Sequence, residues 1–301
     1  MSSHTEYNKT QTVKYLFWTF GIAWLIQVGT AWFLNNNGNA QIAQMAIAAI
    51  MFVPMLGVLL SGGKLRGMGW KPHLRKNIKT ILIAWFAPAV LTAAGAALYF
   101  LVFPGHFDLS GEALGANAME QLEAQGISYS GYVLIAVISC LTYAPLVNML
   151  FAVGEETGWR GFLYPQLKTR FGERKGWILG GVIWGVWHWP LIWLLGYEYG
   201  TAYVGFPVTG MLAFCVFTVA CGILCDWLYE RSGCIWMPAV FHGSFNASGT
   251  VPIAICIADS GSARLLGPAP NGLIAGLPFI VFAAILMMHC GTESSDRESS
   301  L

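Results

Sequence analysis

Long apolar stretches are the feature that most constrains how this chain can fold. A helix that crosses a lipid bilayer needs about 20 apolar residues, and eight segments reach or approach that length. Because lipid offers no partner for an open sheet edge, apolar segments this long must fold as helices. The predicted spans lie at about residues 13–34, 40–61, 79–103, 131–153, 176–196, 205–229, 234–257 and 271–290.

Charge is too scarce to cover a water-facing surface. Charged residues make up 10% of the 301 residues, against roughly 25% in soluble domains. The net charge is +1 and no long basic run occurs, which argues against a nucleic-acid partner. The sequence therefore predicts an all-α, polytopic membrane protein with about eight transmembrane helices, folded as a single integral membrane domain over residues 1–301 and surrounded by membrane lipid.

The distribution of basic residues tests this map independently. If the N-terminus is cytoplasmic, fifteen of the sixteen Lys and Arg residues fall in cytoplasmic segments, and only Arg264 falls outside. The outer connection at about 104–130 carries four acidic residues and no basic one. This bias follows the positive-inside rule, and it predicts that both the N- and C-termini are cytoplasmic.

Ionisable groups inside a membrane are costly and mark candidate functional sites. The first cluster is GEETGWRGFLYPQL. Glu156 and Arg160 are four residues apart, so they share a helix face and can pair. Glu155 is turned by about 100° from Glu156 and faces elsewhere. We therefore predict a structural role for one of the two acids and a role in the chemistry for the other. A salt bridge at a helix end would show the same spacing.

Two further clusters contain histidines. His188 lies in GVIWGVWHWPLIW, inside the fifth predicted span, and His242 and Asn246 lie four apart on one face of the seventh. Each has a simpler interpretation, as a satisfied buried histidine or as a polar clamp between helices. Together with Glu155, however, these groups are the parts of a hydrolytic site, with a base for water and donors for an oxyanion.

The three motifs, in this order, resemble the CAAX prenyl protease family. This family comprises the type II CAAX endopeptidases and their bacterial and archaeal relatives, the abortive-infection-type intramembrane proteases (CPBP family). The resemblance covers about residues 150–250, within a catalytic core expected at about 131–257. Trp184 stands at a position that is usually phenylalanine, a change expected to leave the chemistry intact and to reshape the pocket. The motifs read Glu155-Glu156-x3-Arg160, Trp184-x3-His188 and His242-x3-Asn246.

The resemblance implies an intramembrane endopeptidase. Glu155 would activate water, and His188 would help to hold it. His242 and Asn246 would stabilise the oxyanion. Glu156 and Arg160 would brace the site. The implied substrate is a peptide or protein, which a prenyl group could mark, cleaved at the cytoplasmic face of a prokaryotic cell membrane.

Two other classes of function stay open at this point. The protein could be a non-catalytic scaffold or a membrane protein that gives immunity to a bacterial peptide toxin. A transporter could also use membrane carboxylates and histidines to relay protons. Inverted repeats are typical of transporters, and the sequence contains none that we can detect.

Metal dependence has two interpretations. Glu155, His188 and His242 could supply a His-His-Glu set, the ligand type of several catalytic zinc sites, and family members are often called metalloproteases. The sequence has no HExxH motif, and if all three groups bound zinc, the remaining base would be Glu156, which Arg160 can hold. We therefore predict metal-free water activation by Glu155, with zinc as the alternative.

Overall fold

The fold is entirely helical over the part of the chain that the structure describes. The structure is a computed structural model that describes residues 6–298, with side chains described up to residue 289. No β-strand occurs in this range; an isolated bridge pairs Phe107 with Cys256. The all-α fold predicted from the sequence is thus confirmed. The helices are α1 (Lys9–Asn35), α2 (Ala40–Ile50), α3 (Val53–Leu60), α4 (Leu74–Val102), α5 (Ala116–Ala124), α6 (Tyr129–Leu141), α7 (Ala144–Gly158), α8 (Tyr164–Phe171), α9 (Glu173–Trp187), α10 (Trp189–Leu195), α11 (Val208–Ser232), α12 (Trp236–Ser248), α13 (Thr250–Ala254) and α14 (Leu277–Glu298).

Several helices have the length and composition of membrane spans. Within residues 6–298, four qualify outright: α1, α4, the α9–α10 unit and α11. Two bent pairs bring the number to as many as six, with a bend of 44° between α2 and α3 and of 90° between α5 and α6. The apolar part of α14, Leu277–His289, is shorter. The protein is therefore a multi-pass membrane protein, whereas the number of eight spans and the cytoplasmic termini stay predictions.

Some predicted boundaries differ from the observed helices. The segment predicted as one span at 131–153 is divided at Thr142 and Tyr143, where α6 ends and α7 begins. The last helix begins at Leu277 rather than near 271. The connection at 104–130, which is predicted to be external, contains α5, a helix that was not predicted because its mixed composition lacks a long apolar run.

Large apolar side chains are exposed on the outside of the helices, whereas charged side chains of the first motif are buried. Leu25, Met45 and Leu101 are 75%, 71% and 78% exposed, whereas Glu156 and Arg160 are fully buried. Exposed apolar surface of this kind suits lipid rather than water. Charges inside the helix bundle can find partners that lipid does not offer.

Close helix packing brings the polar motifs together. Helix α12 packs against α7 and α4, and α9 packs against α11 and α8. At Gly243 on α12, an added Cβ atom would lie 2.5 Å from the carbonyl oxygen of Pro145 and 2.6 Å from the backbone nitrogen of Met149. Because backbone atoms cannot move aside as a side chain can, glycine at this position lets α12 approach α7 closely.

Helix interruptions lie beside two of the three motifs. Helix α7 continues into a π-helical turn at Trp159–Leu163, and α8 follows it. Helix α9 ends at Trp187, His188 follows it, and Pro190 lies in the first turn of α10. Proline in a helix removes a backbone donor and favours such a break, and π turns inside helices frequently accompany functional sites.

Candidate active site

Glu155 is held by two indole groups. Its side chain is buried on α7. Oε2 accepts a hydrogen bond from Nε1 of Trp184 at 2.7 Å and another from Nε1 of Trp159 at 3.2 Å. Trp159 is one helical turn further along the chain, whereas Trp184 comes from α9. Oε1 has no hydrogen-bond partner among the described residues, so one carboxylate oxygen is fixed and the other stays available.

Glu156 faces a different set of partners, as the helix geometry predicts. Its Oε1 accepts a hydrogen bond from Nη1 of Arg160 at 3.0 Å and lies 2.7 Å from Nδ1 of His242. All three side chains are buried. Because a carboxylate oxygen can only accept, Nδ1 of His242 carries the proton in this pair. Charge on the buried Glu156 is thus compensated by Arg160 and by a donor from α12.

The guanidinium group of Arg160 is enclosed by aromatic rings. Its Cζ lies 4.7 Å from the ring centroid of Tyr164 and 4.6 Å from that of Trp184. Cation–π contacts of this kind are strongest where water is excluded. The π turn that carries Arg160 therefore presents the cation to Glu156 on one side and to aromatic faces on others.

His188 occupies the junction of α9 and α10. Its Nδ1 lies 3.0 Å from the backbone oxygen of Trp184, and a carbonyl oxygen can only accept a hydrogen bond. Nδ1 therefore carries the proton, and in the neutral ring Nε2 is left as an acceptor. Tyr197 stacks against the imidazole with ring centroids 6.1 Å apart and an interplanar angle of 10°.

Asn246 lies one helical turn after His242 on α12. The His242 ring stacks on Phe245 at 4.8 Å and meets the edge of Trp184 at 5.3 Å. Asn246 is half-buried, and its amide makes no hydrogen bond within the described part of the chain. The amide therefore remains able to bind another group.

One cavity connects four of the six predicted residues. It has a volume of about 490 Å³, within the range of typical small-molecule sites. Helix α2 forms part of its wall through Gln44, Ile47 and Ala48. Glu156 and Arg160 do not line it and lie behind its wall. The predicted residues that line the cavity are Glu155, His188, His242 and Asn246.

Sequence reasoning missed several groups at this site. The indole donor of Trp184 was overlooked because tryptophan was treated as equivalent to phenylalanine, although only tryptophan has an N–H. The Trp159 donor was detectable from its spacing of four residues after Glu155. Glu198 and Asn271 also line the cavity, but they come from loops, and no local pattern in the sequence marks them.

The residues in these positions do not form a three-ligand metal site. Nδ1 of His242 is bonded to Glu156, Nδ1 of His188 to a carbonyl and Oε2 of Glu155 to two indoles, which leaves Nε2 of each histidine and Oε1 of Glu155 without a partner among the described residues. Among the described residues, no group of three His, Cys, Asp or Glu side chains could hold a metal ion together. The set of Glu155, His188 and His242 considered for zinc is therefore not assembled, and zinc dependence stays untested.

Comparison with known proteins shows what this part of the chain is similar to. Residues 133–248 match the family model described as type II CAAX prenyl endopeptidase Rce1-like, and this interval contains all six predicted residues. A CAAX prenyl protease 2 from Methanococcus maripaludis is 30% identical over 99 residues, which cover 33% of this chain and 36% of the relative. The match thus spans little more than a third of that relative's length. The resemblance predicted from the three motifs is confirmed: residues 133–248 are similar to the Rce1-like type II CAAX prenyl endopeptidases.

Proposed function

We propose that this protein is an intramembrane endopeptidase that hydrolyses a peptide bond with water activated by Glu155. One observation carries the proposal: the adjacent carboxylates of α7 have separate partners. Glu155 lines the cavity and keeps one oxygen available, whereas Glu156 is occupied behind the cavity wall by Arg160 and His242. The name of the archaeal relative, CAAX prenyl protease 2, supports a substrate that ends in a prenylated CAAX sequence.

Glu155 acts as the general base in this proposal. Oε1 takes one proton from a water molecule in the cavity, while Oε2 stays bonded to the two indoles. Nε2 of His188 accepts the other hydrogen of that water and orients it toward the substrate. General bases act through such short contacts with the proton that they remove.

The remaining residues stabilise the intermediate. The hydroxide forms a bond to the carbonyl carbon, and the carbonyl electron pair moves to its oxygen. Nε2 of His242 and the amide of Asn246 donate hydrogen bonds to that oxyanion. His242 must then carry a proton on both ring nitrogens, with Nδ1 toward Glu156 and Nε2 toward the oxyanion. When the C–N bond breaks, Glu155 returns its proton to the leaving amine nitrogen.

The proposed orientation puts the reaction near the cytoplasmic face. The connections that flank the first motif carry the basic residues of the predicted cytoplasmic side, including Lys168 and Arg170. We propose a prokaryotic cell membrane as the location, because the resemblance includes bacterial and archaeal relatives. Lipid surrounds the domain, and no metal takes part in any step.

The test uses purified protein in liposomes and a quenched fluorescent peptide that ends in a farnesylated cysteine followed by three residues. We expect wild-type protein to cleave it and Glu155→Gln to lower the rate by about 10²- to 10⁴-fold. Asp226→Asn is the matched control, because Asp226 is also buried and accepts an indole N–H at 2.7 Å, from Trp177, but does not line the cavity.

Two outcomes would contradict the proposal. Absence of cleavage by the wild type would favour the non-catalytic scaffold, and a wild-type rate for Glu155→Gln would remove the proposed base. The same peptide without its farnesyl group tests recognition of the prenyl chain.

A further inference from the structure

Trp184 contacts three of the predicted site residues through its side chain. The indole N–H donates to Oε2 of Glu155 at 2.7 Å. The face of its ring lies 4.6 Å from Cζ of Arg160. Its ring also lies 5.3 Å from the imidazole of His242, at an interplanar angle of 61°. The side chain is 2% exposed, so these contacts are shielded from bulk water.

The main chain of Trp184 contacts a fourth site residue. Its carbonyl oxygen accepts the hydrogen bond from Nδ1 of His188 at 3.0 Å. Any residue at position 184 can make this bond, because it uses no side-chain atom. The role of the indole can therefore be separated from the role of the helix turn that holds His188.

We propose that Trp184 is a positioning residue: its indole N–H fixes Oε2 of Glu155, so that Oε1 alone faces the water. This inference rests on the proposed function, in which Glu155 is the base. The bond from Trp159 is longer, at 3.2 Å against 2.7 Å, so Trp184 contributes most to the orientation. A carboxylate that can rotate would spend less time aligned with the water, and small misalignments are costly in catalysis.

Trp184→Phe removes the N–H and keeps an aromatic face against Arg160. We expect kcat for the farnesylated peptide to fall by about 10- to 100-fold, the range for loss of a hydrogen bond to a charged group. KM should change by no more than about 2-fold, because the lost hydrogen bond joins Trp184 to Glu155 and does not involve the substrate. Trp159→Phe should lower kcat less.

Trp177→Phe provides a closely matched control. Trp177 lies on the same helix and is 2% exposed, and its indole also donates to a buried carboxylate at 2.7 Å, that of Asp226. It does not line the cavity. Both variants should lower the thermal unfolding temperature to a similar extent, but Trp177→Phe should leave kcat unchanged. A merely structural role of Trp184 would give both variants the same kcat.

A second replacement keeps the test decisive if Trp184→Phe folds poorly. A benzothiophene analogue of tryptophan, incorporated at position 184 only, replaces the N–H with sulfur and preserves the size of the ring. It should also lower kcat by about 10-fold or more. An unchanged kcat in this protein, or equal kcat values for Trp184→Phe and Trp177→Phe, would overturn the inference.

Failure of the proposed function would look different. If Glu155→Gln cleaves at the wild-type rate, Glu155 is not the base, and the role of Trp184 fails with it. If Glu155→Gln is inactive while Trp184→Phe matches Trp177→Phe, only the positioning role is wrong.

Discussion

Oε1 of Glu156 on α7 lies 2.7 Å from Nδ1 of His242 on α12, although the two residues are 86 positions apart in the sequence. The same oxygen accepts a hydrogen bond from Arg160. One buried carboxylate therefore compensates a cation on its own helix and fixes the orientation of a histidine on another. This couples the stability of the α7–α12 contact to the geometry of the cavity wall.

The first prediction concerns this coupling. Glu156→Ala leaves the charge of Arg160 buried without its partner, and we expect the free energy of unfolding to fall by about 3–5 kcal/mol. Arg160→Met should also lower the free energy of unfolding, because it leaves the buried Glu156 carboxylate without its cation. The double variant should lose less than the sum of the two single losses. Measuring the free energy of unfolding in detergent for all three variants gives the coupling energy. Strictly additive losses of this free energy would show that the pair does not interact.

The second prediction concerns Asn246. Asn246→Ala should lower kcat by about 10²- to 10³-fold, as for other losses of one oxyanion donor, with little change in unfolding temperature because the amide makes no protein hydrogen bond. Asn148→Ala is the control, since Asn148 donates to the carbonyl oxygen of Ala144 on its own helix and does not line the cavity. Equal activities for the two variants would rule out a donor role for Asn246.

The third prediction concerns orientation in the membrane. Lys64 and Glu120 are both exposed and lie in connections expected on opposite sides, because basic residues favour the cytoplasm. In a background without reactive native thiols, Glu120→Cys should react with an impermeant thiol reagent added to intact cells. Lys64→Cys should react only after permeabilisation. Labelling of Lys64→Cys in intact cells would show that the predicted orientation in the membrane is wrong.

The fourth prediction concerns metal. No three of the described His, Cys, Asp or Glu side chains are grouped so as to hold a metal ion, and the proposed reaction already uses Oε1 of Glu155 and Nε2 of both histidines. We expect purified active protein to lack stoichiometric zinc and to keep its cleavage rate after exhaustive chelation. Elemental analysis and the peptide assay check this together. Activity lost on chelation and restored by zinc would establish the alternative.

The positions of the helices could be predicted because apolar length is a local property. The predicted span at 79–103 lies in α4 except for its last residue, and that at 205–229 overlaps most of α11. The division at Thr142 lies next to Pro145, a proline expected to interrupt its helix, but apolar length alone did not reveal it; the π turn after Gly158 could not be predicted. Apolar content continues across the first break, and the turn depends on how α7 meets its neighbours rather than on its own sequence.

The pairing of Glu156 with Arg160 followed from helical spacing, and the structure contains that pair. The contact of Glu156 with His242 did not follow, because spacing within one helix says nothing about the helix that packs beside it. The same limit hid the bond from Trp184 to Glu155, which links residues 29 positions apart. Sequence reasoning thus identified groups that need partners, and tertiary packing determined which partners they have.

The two indole donors on one oxygen of Glu155 have a consequence for Glu155→Gln. Glutamine has one acceptor end and one donor end, and the indoles can be satisfied only if the acceptor end lies where Oε2 lay. The NH₂ group would then point into the cavity, where it could donate to a substrate carbonyl oxygen. This variant should therefore act as a substrate trap, retaining an uncleaved farnesylated peptide for longer than a Glu155→Ala protein does.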